Sequence, residues 1–159
     1  MIGARMKKIA KFFALPASDR ALLFQALTAI VAMRAGVWTL PFARARRLAD
    51  AMSYPMRADS PGGDRLSTCA RPSPEKIAWA VATASRAVPS GGNCLVRALA
   101  TGIVLKRYRY PSELKIGVMK PIDGHFGAHA WLESGGIVVI GDFELDRYVP
   151  LGGPDSVGR

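Results

Sequence analysis

Only two cysteines, Cys69 and Cys94, and two histidines, His125 and His129, occur in the 159 residues. Two cysteines can form at most one bridge, so no disulfide framework is expected, and the chain reads as a cytoplasmic protein. Zinc is disfavoured too, because neither a paired-cysteine spacing nor a His-Glu-x-x-His stretch is present. Acidic residues are also scarce: 12 against 22 lysines and arginines, a net charge of +10. That imbalance attracts something acidic, whether nucleic acid, anionic lipid or an acidic peptide. No RNA-recognition signature, zinc finger or basic stripe interleaved with aromatics occurs, so nucleic acid is not the expected partner. A long hydrophobic run is missing as well. Ala21 to Met33 is apolar apart from Gln25 and Thr28, which is thirteen residues. A span needs about 20, so membrane association ranks below a protein partner. Met1 to Leu15 loosely imitates a signal peptide, but Lys11 interrupts the patch and Pro16-Ala17-Ser18 is a poor cleavage site.

Half of the residues are apolar, and the length suits one domain with a real core. After a tail over 1–17, residues 18–52 form a helical region. Ser18-Asp19 starts its first helix, Leu22, Leu23, Leu27, Ile30 and Val31 make it apolar on most sides, and Pro41 ends it. Such a helix is buried against its own domain or a partner, and Leu23 and Ile30 are the positions expected to face that partner. Phe42 to Met52 reads as a second helix with Arg44, Arg46 and Arg47 outward. Residues 53–72, rich in proline and glycine, read as a loop. The core is expected over 73–151, with a tail over 152–159. It opens with Ser73-Pro74-Glu75, a helix start that runs towards Val88-Pro89. A helix from Cys94 to about Tyr108 follows. Beyond Pro111 the period becomes alternating: Leu114, Ile116 and Val118, then strands over Phe126 to Glu133 and Ile137 to Asp142, and a short one at Tyr148-Val149. Helices first and an antiparallel sheet after them make an α+β domain.

The candidate chemistry lies in Gly91-Gly92-Asn93-Cys94-Leu95-Val96-Arg97. A cysteine at a helix start meets unpaired N–H groups and the positive dipole end, which favour the thiolate. A free cysteine more often simply packs, so the partners decide. A two-residue Gly135-Gly136 turn would pair Ser134 with Ile137, Glu133 with Val138, Trp131 with Ile140 and His129 with Asp142. Directly opposite residues share a face, and a carboxylate there could orient the imidazole while its other nitrogen serves the thiol. His125 competes as the base from a glycine-flanked turn. Cys94, His129 and Asp142 are therefore the candidate catalytic residues; this chemistry calls for no metal or organic cofactor.

The same residues resemble a known family, the transglutaminase-like cysteine peptidases of lasso-peptide biosynthesis. The likeness lies in Asn93-Cys94-Leu95-Val96-Arg97-Ala98-Leu99-Ala100, Leu114-Lys115-Ile116-Gly117-Val118, Ala128-His129-Ala130-Trp131-Leu132-Glu133 and Tyr148-Val149-Pro150-Leu151. It implies a papain/transglutaminase-like domain that removes the leader from a leader-core precursor peptide. It maps the nucleophile to Cys94, the base to His129 and the third residue to Asp142, with Glu144 and Asp146 as rivals. With no leader-binding domain expected ahead of the helices, it also implies a separate leader-recognition protein, and an ATP-dependent macrolactam cyclase acting next. The backbone N–H of Cys94 is a candidate oxyanion donor, with Asn93 a second candidate. Two rival readings remain: acyl transfer to an amine through the same thioester, and a non-catalytic basic peptide-binding module.

Overall fold

A computed structural model describes residues 14–39, 41, 44, 71–89, 93–122 and 125–151, the side chains of 120–122, 125 and 126 excepted. Helix α1 spans Ala17–Thr39, α2 Pro74–Ser85 and α3 Cys94–Arg107. Strands β1 (Glu113–Ile122), β2 (His125–Ser134), β3 (Ile137–Ile140) and β4 (Tyr148–Pro150) follow, with a 3₁₀ turn at Leu145–Arg147. The strands form one sheet in the order β3-β2-β1-β4, antiparallel throughout. The α+β expectation therefore holds. The second helix over Phe42 to Met52, most of the 53–72 loop and Cys69 lie outside the described residues.

Local signals account for the helix ends. Ser73 caps α2 by accepting from the Lys76 N–H at 3.3 Å, with Pro74 in the first turn, where its missing N–H costs nothing. This helix stops at Ser85, a little before Val88-Pro89. In α3, Asn93 is the cap, and its side-chain oxygen accepts from the Leu95 N–H at 2.9 Å.

Apolar burial joins these pieces. Helix α1 places Leu22, Leu23, Ala26, Ala29, Ile30 and Met33 against α2 and α3. Ile77, Ala80 and Val81 of α2 and Val96, Ile103, Val104 and Leu105 of α3 complete the helical layer. The sheet contributes Ala130, Leu132 and Ile140. Each fully buried Leu, Ile or Val contributes about 1.5–3 kcal/mol of transfer free energy, so this shared core accounts for the docking of helices on sheet. Leu23 and Ile30 are thus core residues, at 8% and 0% exposure, and not the partner-facing positions expected. The outward face of α1 carries Ala21, Phe24, Thr28, Val31, Ala35 and Trp38, alternately three and four residues apart. Phe24, Val31 and Trp38 are 66%, 51% and 83% exposed. The helix also runs past Arg34 to Thr39. At 23 residues it is long and apolar enough to cross a bilayer, although one face is packed inside the domain.

Candidate active site

Cys94 stands at the first position of α3, half-buried and with a free thiol. Because Asn93 takes the Leu95 N–H and the Asn93 carbonyl accepts from the Arg97 N–H at 3.0 Å, the turn that carries the cysteine is closed by its own neighbour. The Cys94 N–H belongs to the first turn, where helical N–H groups have no intrahelical acceptor, so it can donate to a developing oxyanion. Asn93 acts as a cap through its side-chain oxygen, which leaves its Nδ2 amide protons to donate elsewhere.

His129 lies in the middle of β2, opposite Gly117 of β1. Strand parity puts it on the face of Trp131, whereas Ala130 and Leu132 point into the helical core. Its ring stacks with Trp131 at 6.3 Å between centroids and tilts against Tyr148 of β4 at 5.1 Å. Gly117 makes this cluster fit: a Cβ there would come within 2.9 Å of both the Trp131 ring and Tyr148. Neither Gly117 nor Tyr148 stood out in the sequence as part of the site. The signal available was the glycine in an otherwise apolar-alternating strand, a mark of close approach by another group.

The hairpin departs from the unbroken ladder. Gly135 and Gly136, at φ 62° and 79°, make the expected tight turn, and Ser134 pairs with Ile137 and Glu133 with Val138. The next pair is Leu132 with Ile140, not Trp131 with Ile140, because β3 holds one extra residue there. This bulge lets both Val139 and Ile140 pack on the core, which a strict alternation would forbid. The ladder then ends, and Asp142 does not stand across from His129.

Past the bulge, Gly141 adopts φ 87° and crosses against the backbone of Ala130 and Trp131. Its carbonyl lies 2.9 Å from His129 Nε2. A carbonyl oxygen can only accept, so Nε2 donates and must carry the proton. Cys94 and His129 border a common cavity, and no hydrogen bond joins them. The orienting contact expected from the Asp142 carboxylate is made by the backbone one residue earlier. Asp142 itself is exposed, yet it borders the same cavity of about 90 Å³ as Cys94, Arg97, His129, Ile140, Gly141 and Phe143. A second depression of about 300 Å³ also has both Cys94 and His129 in its wall, together with Asn93, Leu95, Ile116, Ala128 and Ala130.

The rivals are placed differently. Glu144, at φ 48°, is paired with Arg147 at 2.8 Å, and Asp146 lies exposed in the 3₁₀ turn; neither borders either depression. His125 opens β2 opposite Ile122, and its side chain is outside the described set. No group of three His, Cys, Asp or Glu among the described residues could hold a metal ion.

Cys94 at a helix start and His129 on a strand thus border one cavity of an α+β domain. Residues 36–152 match the Transglut_core3 family, and the chain belongs to the transglutaminase-like superfamily. Enzymes of that superfamily typically use Cys, His and Asp, in cysteine peptidase or acyltransferase chemistry. No curated protein and no solved structure matches the chain significantly.

Proposed function

We propose that the protein is a cysteine endopeptidase that cleaves the leader from a lasso-peptide precursor in the cytoplasm. The observation that carries this reading is that Cys94, at a helix start, and His129, held by the Gly141 carbonyl through Nε2, border one cavity. In this mechanism the thiol proton passes to His129 Nδ1 and the Cys94 sulfur attacks the carbonyl at the leader–core junction. The Cys94 N–H stabilises the oxyanion. Imidazolium then protonates the leaving amine, and water, deprotonated by His129, hydrolyses the thioester. Asp142 supplies negative charge at the cavity wall while the imidazolium exists. Acyl transfer to an amine uses the same thioester, and the released leader would then carry the added amine in place of a free carboxylate.

The reading includes a separate leader-recognition protein docked on the outer face of α1, with a macrolactam cyclase acting on the cleaved core. A shallow groove of about 310 Å³ lined by Val31, Arg34, Ala35, Trp38 and Val88 continues that face. A second copy of a chain with net charge +10 would be repelled. A partner with an apolar seam and acidic flanks complements both the stripe and Arg34.

The test incubates the full chain with a candidate precursor peptide and the recognition protein, followed by mass spectrometry of the products. Cleavage at one junction that disappears in Cys94→Ala is expected; equal turnover by that variant would remove the peptidase reading. Phe24→Glu with Trp38→Glu should weaken capture of the recognition protein while Cys94 still alkylates. Unchanged capture would move the interface elsewhere.

A further inference from the structure

Arg97 is one turn along α3 from Cys94 and lies in the wall of the cavity shared with His129 and Asp142. Its Nε is shut off from solvent and has no hydrogen-bond partner. The ion pairs among the described residues join Lys76 to Asp19, Lys115 to Glu113 and Arg147 to Glu144, and none includes Arg97. Asp142, on the same wall, makes no ion pair with it. A guanidinium stays charged at any working pH. Holding it partly buried without a counter-charge is costly, and an unsatisfied buried donor adds to that cost. Core packing alone would be served as well by a leucine or methionine of similar reach.

We infer that Arg97 is a specificity-determining residue that receives a carboxylate of the substrate beside the bond attacked by Cys94. This rests on the peptidase reading for its biological substrate, but not for its chemistry. The planar fork of a guanidinium matches a carboxylate, and a charge-assisted pair in a confined cavity is stronger than one in open water. The carboxylate has two sources: an Asp or Glu side chain next to the scissile bond, or the free terminus of a short segment.

Small electrophiles test this without any peptide substrate. Iodoacetate and iodoacetamide differ in charge, and the anion ordinarily approaches a thiolate against repulsion. Alkylation of the full-length protein is followed by site-resolved mass spectrometry, with Cys69 of the same chain as the internal reference. The readout is the iodoacetate-to-iodoacetamide rate ratio, so a uniform loss of thiol reactivity cancels. At Cys94 the ratio is expected to exceed that at Cys69 by about tenfold, in keeping with one charge-assisted hydrogen bond. Arg97→Gln should bring it down to the Cys69 value, whereas Arg86→Gln, an exposed cation elsewhere, should leave it unchanged. A ratio unaffected by Arg97→Gln, or one that falls equally in Arg86→Gln, overturns the inference.

The unaltered protein provides a second measurement should Arg97→Gln fail to fold. Propionate should protect Cys94 from iodoacetamide and propionamide should not; equal protection, or none by either, overturns the inference. Chloroacetyl-Glu-amide and chloroacetyl-Gly, each compared with its neutral amide counterpart, separate the two sources. Preference for the first assigns a side-chain carboxylate, and preference for the second a terminal one. Failure of the precursor-cleavage assay with an intact carboxylate preference would reject the lasso-peptide reading and leave this site standing.

Discussion

The two halves of the site are held in different ways. Cys94 is positioned by its immediate neighbour: Asn93 caps the helix through both its side-chain and backbone oxygens, and the cysteine follows from the cap. His129 is positioned by residues distant in the chain. Gly117 gives it room, Trp131 and Tyr148 flank its ring, and the Gly141 carbonyl fixes its Nε2. The helix half is a local structure, one turn deep. The strand half exists only once β1, β2, β4 and the segment after β3 have assembled.

On the proposed reading, removing Cys94 or His129 should give the largest effects, and the comparison separates their side effects. Cys94→Ala and His129→Ala should each lower kcat/KM by at least about four orders of magnitude, since nucleophile and base act as a unit. In chemical denaturation Cys94→Ala should be nearly neutral, whereas His129→Ala should lose about 1–3 kcal/mol because it empties the space between Trp131 and Tyr148. Equal stability losses would break the distinction between the two halves.

Gly141→Ala comes next. A Cβ there would meet the Ala130 carbonyl oxygen at 2.9 Å at a φ of 87°, so the backbone must shift and carry its carbonyl away from His129. The strain is worth about 1–3 kcal/mol, and kcat should fall by more than about tenfold while Cys94 remains open to alkylation. Unchanged kcat would show that the carbonyl does not orient the ring.

Asn93→Ala probes the local half. Loss of the cap should cost about 1 kcal/mol in a denaturant titration, with a modest drop in activity from fraying of the first turn. A loss of several kcal/mol would mean that the cysteine depends on tertiary contacts as much as the histidine does.

Asp142→Asn should have the smallest effect. Where a carboxylate alone orients the histidine, conversion to the amide costs about ten-thousandfold in kcat. Here the Gly141 carbonyl makes that contact, so a loss below about tenfold is expected in steady-state assays. A loss near the larger figure would return the orienting role to Asp142.

Much of this was legible in the linear chain, for a physical reason. Ser73-Pro74 and Asn93 act over three or four residues, and Gly135-Gly136 impose positive φ on their own turn, so each signal has its cause beside it. The change from helical to alternating period at Pro111 gave the α+β class because periodicity is a property of a single element. The two faces of α1 were harder to separate. An apolar residue reads the same whether it meets α2 or faces outward, and so the sequence pattern points to Leu23 and Ile30 for the exposed positions that Phe24, Val31 and Trp38 occupy.

Sequence by itself determined the element types, the caps, the hairpin turn and the placing of Cys94 at a helix start and His129 on a strand. Tertiary structure alone decided the bulge after Val138, since only a core that accepts both Val139 and Ile140 gains from an extra residue. That single residue ended the ladder before Asp142 and brought the Gly141 carbonyl to His129. Register across a sheet is a sum over all residues between the turn and the site, so one packing choice inside that stretch changes which atom holds the base.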